Sequence, residues 1–91
     1  MNSKIEFAND YVLQDVIICA LRYALPRHTY VVDEVCDFII QHMSKFMNER
    51  VQMVMLRDIE DVLTGDYELH ACDRHCIMDL RRRLLEWNNK Q

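Results

Sequence analysis

Between Ile18 and Val32 the sequence ICALRYALPRHTYVV sets a helix, a hard stop and a second helix within fifteen residues. Pro26 has no amide donor and disfavours helical geometry at Leu25, so the first helix must end there and the chain must turn. The chain holds one Gly and one Pro in 91 residues, with 51% apolar against 29% charged residues. That is too few breakers for a loop-rich fold and too much apolar content for disorder, so long helices are predicted.

Apolar spacing places four helices, at about residues 9–25, 29–43, 48–63 and 73–88. Asn9 or Asp10 is the preferred cap of the first, with Ser3 and Glu6 as an earlier capping box. Its apolar stripe reads Tyr11/Val12, Val16, Cys19/Ala20 and Tyr23, with Leu13, Ile17, Leu21 and Ala24 beside it. The second helix opens at Thr29 and buries Val31/Val32, Val35/Cys36, Ile39 and Met43; the connection runs from Ser44 to Asn48. Asn48 caps the third, which carries Val51, Val54/Met55, Ile59 and Val62/Leu63, and Gly65 stops it in a left-handed cap. Asp73 caps the fourth, where Ile77, Leu80, Leu84 and Trp87 recur at three- and four-residue steps.

The predicted fold is all-α, a compact bundle of four helices in a single domain over residues 1–91. A hairpin of the first two helices is closed over by the last two. Its expected core includes Ile17, Leu21, Val35, Ile39, Ile59, Leu80, Leu84 and Trp87. A chain this short buries about two-thirds of its unfolded surface, so the high apolar share predicts that some apolar side chains cover a second copy. Tyr11, Leu13, Ile18 and Leu25 of the first helix, with Met53 beside Met55 and Leu56 of the third, are the residues expected to form that dimer.

No apolar run approaches 18 residues, and the start, Met1 to Glu6, is polar, so the expectation is a cytoplasmic chain with no membrane contact. Cys19, Cys36, Cys72 and Cys76 are then reduced thiols. Charge is uneven. Residues 1–69 hold six basic and twelve acidic side chains, whereas residues 70–91 hold five and three, including Arg81-Arg82-Arg83. The acidic body disfavours nucleic acid and suits a basic partner.

Four constellations carry chemistry. His70, Cys72, His75 and Cys76 are zinc-type ligands, but adjacent His75 and Cys76 point about 100° apart on a helix and no second pair completes a site, so no metal is assigned. Cys76 in the first turn of a helix, beside His75, suggests a thiol lowered by the helix dipole, but no orienting third group follows for catalysis, and the chain is read as a non-enzyme. Arg22, Arg27, His28 and Tyr30 surround the Pro26 turn and suit an anion such as a nucleotide phosphate, or surface pairs with Asp15, Asp33 or Glu34. Asp33, Glu34, Asp37, Asp58, Glu60 and Asp61 form acidic helical surfaces that can imitate a phosphate backbone to a basic groove. The last three acids would also repel DNA from a helix-turn-helix reading of the middle helices, and the arginine run reads as a solvated face.

The segment Cys19-Ala20-Leu21-Arg22-Tyr23-Ala24-Leu25-Pro26-Arg27-His28-Thr29-Tyr30 resembles a motif of small bacteriophage and prophage proteins, R-Y-A-L-G-R-x-T-Y followed by a helix. Pro26 stands where that pattern has Gly. Looser similarity continues through Asp58-Ile59 and the helix start at Asp73. The resemblance implies a mobile-element origin, residence in a bacterial host cell and, by class, antagonism of host machinery, as in anti-CRISPR proteins and sponges for immune nucleotides. It supplies no catalytic residue and no cofactor. The resulting expectation is a non-enzymatic inhibitor of a host defence protein such as a CRISPR nuclease. The alternatives are a sponge for a phosphorylated immune nucleotide and a small nucleic-acid-binding or zinc-stabilised helical regulator.

Overall fold

A computed structural model describes residues 11–27, 30–65 and 69–87 of the chain, with the backbone alone at Tyr30. All regular structure in them is helical: α1 (Tyr11–Ala24), α2 (Tyr30–Phe46), α3 (Glu49–Thr64) and α4 (Ala71–Glu86). The caps expected at Asn9, Asp10 and Thr29, and the Ser3–Glu6 capping box, lie outside the described residues.

Helix packing closes a ring in the order α1, α2, α4, α3. Among the described residues α1 and α4 do not pack on each other, nor do α2 and α3. The α1–α2 hairpin turns through Leu25 and Arg27, whose amides donate to Leu21 and Ala24 at 2.9 Å on either side of Pro26. One stripe of each helix enters a common core of Ile17, Ile18, Leu21, Val32, Ile39, Phe46, Val51, Met55, Ile59, Ile77, Leu80 and Leu84, with further buried neighbours. Of the expected core, Val35 and Trp87 pack only half-buried against its edge.

Of the two apolar stripes on the first helix, the one that carries the expected core residues Ile17 and Leu21 is buried, and the one through Val12, Val16 and Tyr23 is not. The buried face is Gln14, Ile17, Ile18, Leu21 and Ala24, whereas Tyr11, Val12, Val16 and Tyr23 are exposed. Both stripes have helical period. The inner one wins because it continues into Leu25 and the turn, and because Gln14 is satisfied at its buried end by the Arg50 guanidinium, which donates to Gln14 Oε1 at 2.7 Å. Ile18 and Leu25, expected at a dimer interface, are therefore core residues, as is Met55. Tyr11 and Met53 remain exposed.

Three further boundaries move. The second helix runs to Phe46, because the spacing Ile39, Met43, Phe46 continues inward, and Met47 and Asn48 alone connect it to α3. The fourth begins at Ala71 with His70 as its N-cap residue, which places Asp73 inside the first turn, where it is buried and favoured by the helix dipole. Gly65 follows α3 with φ −85° and ψ −172°, extended and not left-handed. Asn48 caps α3 as expected, its side chain accepting from the Val51 amide at 2.9 Å.

Polar ties from α3 fix the register of its neighbours. Asp58 accepts from Arg22 of α1 at 2.7 Å and Glu60 from Arg81 of α4 at 2.6 Å. Gln52 Nε2 donates to the Leu84 and Trp87 carbonyls at 2.6 and 2.9 Å, satisfying acceptors left open at the α4 C-terminus. The Asn48 cap is expected to contribute about 1 kcal/mol, so Asn48→Ala should lower the urea-unfolding free energy by that amount while Asn48→Asp retains most of it. Equal losses in both variants would show that the cap bond does not carry the effect.

Candidate functional site in the cleft between the second and fourth helices

Packing of α2 against α4 leaves a cleft of about 110 Å³ lined by Asp33, Cys36, Asp37 and Ile40 of α2 and His75, Cys76 and Asp79 of α4. Asp33, Cys36, Asp37 and Ile40 share one side of α2 because three- and four-residue steps return to the same face, and Cys76 and Asp79 do the same on α4. Asp33 Oδ1 accepts from Cys76 Sγ at 3.5 Å and Asp37 Oδ2 from Gln41 Nε2 at 2.8 Å. Asp79 accepts from Arg82 at 2.7 Å and from Arg83 at 3.3 Å, and the Arg82 hydrogen bond holds its carboxyl below the usual range. The cleft thus carries three carboxylates, two of them bonded only to neutral donors in the contacts described.

The thiols behave oppositely to nucleophiles. Burial first, then the negative charge of Cys76, Asp33 and other acids, pushes the Cys36 thiol up to about 12. Burial also raises Cys76, aided by its bond to Asp33. Cys76 lies beyond the first turn of α4, and its thiol is raised where the sequence suggested a dipole-lowered one. Both sulfurs stay protonated at neutral pH and supply no thiolate.

The structure separates the six acids expected to form the partner-binding surface. Asp33 and Asp37 line the α2–α4 cleft, but Glu34 lies in the groove between α2 and α1. On α3, which does not pack on α2, Asp58 is taken by Arg22 and Glu60 by Arg81, leaving Asp61 exposed. Asp79 joins the cleft acids unforeseen. In the sequence it reads as a helical partner of Arg82 and Arg83, and only the α2–α4 contact reveals its other neighbours.

The expected anion site is not assembled from free cations. Arg22 is paired with Asp58, and Arg27 donates to the Tyr23 carbonyl while its guanidinium lies 3.7 Å above the Tyr23 ring. His28 and the Tyr30 side chain lie outside the described residues. The arginine run is likewise engaged, Arg81 with Glu60, Arg82 with Asp79 and Glu86, and Arg83 with Asp79. Among the described residues no group of three or more His, Cys, Asp or Glu side chains could hold a metal ion, and His70, Cys72 and His75 are exposed on α4 and its cap. No described helix is long and apolar enough to cross a membrane. In comparisons with known proteins, no family model, curated protein or solved structure matches the chain.

Thiol labelling tests the packing of this cleft. In dilute neutral solution, iodoacetamide should modify exposed Cys72 and leave Cys36 unmodified until urea unfolds the chain, as read by peptide mass spectrometry. The folded thiol binds its proton more tightly than the unfolded one, so its contribution to stability is complete below pH 9.0 and is lost as pH rises toward 12. Cys36→Ala should lose less stability over that interval than the parent chain. Ready alkylation of native Cys36 would contradict the packing.

Proposed function

We propose that this chain is a non-enzymatic binding protein that uses the acidic α2–α4 cleft to engage a basic surface of another protein, as an inhibitor of a bacterial host defence protein such as a CRISPR nuclease. The observation that supports this reading is the convergence on one cleft of Asp33 and Asp37, bonded to neutral donors in the contacts described, with Asp79 and its Arg82 and Arg83 partners at the rim, on a chain of net charge −4. Carboxylates at a concave edge attract a guanidinium or ammonium group and set its orientation, and they speed encounter with a positively charged groove. The protonated thiols of Cys36 and Cys76 add no competing positive charge. A phage origin and a cytoplasmic site of action rest on the resemblance around Arg22-Tyr23-Ala24-Leu25 and complete the reading.

Nuclease-cleavage assays with increasing amounts of purified chain test it. The chain should inhibit DNA cleavage, and the D33N/D37N/D79N variant should lose at least about tenfold in potency, the scale of one to two lost charge contacts. D61N, on the far helix, should inhibit like the parent. Equal inhibition by all three proteins would refute the cleft as the contact, and absence of inhibition by the parent would refute the nuclease target.

A further inference from the structure

α1 has a second apolar stripe that is exposed among the described residues, with the Arg27 guanidinium over one face of its Tyr23 ring. Val12 is 74% exposed, Val16 59% and Tyr23 58%, and Cys19 between them is exposed as well. The steps are four, three and four residues, the spacing of a coiled-coil seam. At about 100° per residue these four side chains fall within roughly 60° of one another, nearly opposite the buried stripe centred on Leu21. Beside the seam, toward α2, a mostly apolar groove of about 410 Å³ runs between Leu13, Val16 and Ala20 on one wall and Val35 and Phe38 on the other, with Glu34 also on the α2 wall. Phe38 is itself 49% exposed.

We propose that this face pairs α1 with the α1 of a second copy, antiparallel, about a twofold axis near the middle of the helix. Self-pairing suits the seam because an isologous interface needs one patch that complements itself. In the antiparallel register Val12 packs beside Tyr23 of the second copy and Val16 beside its Cys19, so a small and a large side chain meet at each end. Charge selects this orientation. Asp15 and Arg22 stand seven residues apart on one edge of the seam; each already has a partner on α3, Arg50 at 3.6 Å and Asp58 at 2.7 Å, but their side chains stay 65% and 56% exposed, so a second copy can extend these pairs into a network. Antiparallel pairing sets each Asp15 beside Arg22 of the other copy, twice per dimer, whereas a parallel pair turns Asp15 toward Ala20 and leaves Arg22 facing past the end of α1 at Ala24. Opposed helix dipoles favour the same choice.

The area fits a dimer governed by concentration. With aromatic side chains at ~200 Å² each, the exposed parts of the seam, Phe38 and their flanks amount to roughly 600 Å² per chain. That places the pair near the lower bound of about 1,200 Å² in total for specific interfaces. The seam lies away from the acidic cleft, so dimerisation and partner binding can fail independently.

Light scattering after size exclusion should show the mass rising from 11.0 kDa toward twice that value as the chain is concentrated from low to hundreds of micromolar. V16D and, separately, V12K should stay monomeric over the whole range with unchanged far-ultraviolet circular dichroism, since both positions are exposed in the single chain. For orientation, V12C and Y23C are each made in a C19S background. On oxidation, the mixture should form a disulfide between position 12 of one chain and position 23 of the other, identified by peptide mass spectrometry, and V12C alone should not link at position 12. A constant monomer mass, a folded V16D or V12K that still dimerises, or linking of position 12 to itself would each overturn the proposal.

Discussion

The packing of this protein depends on which side of α1 the chain can bury. With apolar residues at opposite sides of one helix, a single small core can enclose only one of them. The chosen side, Ile17, Ile18, Leu21 and Ala24, continues into Leu25, so the hairpin turn at Pro26 is itself sealed by the core. The α1–α2 hairpin brings Val32, Cys36 and Ile39 against that face, and α4 closes on α2 from the other side with Ile77, Leu80 and Leu84. Burial of these side chains, at about 1.5–3 kcal/mol each relative to exposure, dominates the stability of the fold.

α3 bridges α1 and α4, which do not pack on each other among the described residues. Its Val51, Met55 and Ile59 enter the core while Arg50, Gln52, Asp58 and Glu60 reach to α1 or α4. The exposed ion pairs among these contribute little, about 0–1 kcal/mol apiece. Their effect is selective, since each is made only when α3 sits in one register between its neighbours. The same ties remove Asp58 and Glu60 from the surface available to a partner. In the contacts described, the acids that remain together with neutral donors alone are Asp33 and Asp37 of the α2–α4 cleft.

Much of the fold was legible in the sequence because its strongest signals are local. Pro26 marks a helix end, Asn48 a cap, and the Ile77, Leu80, Leu84 period a core face, and each acts through neighbouring residues. Ile17 and Leu21 were legible as core, but the exposure of Val12, Val16 and Tyr23 was not, because both stripes of α1 repeat at helical spacing and the decision rests on Arg50, which is distant in sequence, and on the turn beyond Ala24. Asp73 similarly reads as a cap, although His70 occupies the cap position and Asp73 lies one turn inward. The candidate site was legible only in its residue types. Asp33 and Asp37 stood out as acids on a helix, but their grouping with Asp79, Cys76 and His75 follows from ring order, in which α2 meets α4 and misses α3.

Stability measurements on paired truncations test the orientation of α1 most directly. Ile18→Ala removes a side chain from the buried stripe, and Val16→Ala removes one from the exposed stripe. Urea unfolding in dilute solution should show a loss of about 2–4 kcal/mol for Ile18→Ala, and of less than ~0.5 kcal/mol for Val16→Ala. The reverse order, with Val16→Ala the more damaging, would mean that the helix is turned the other way and would contradict the account.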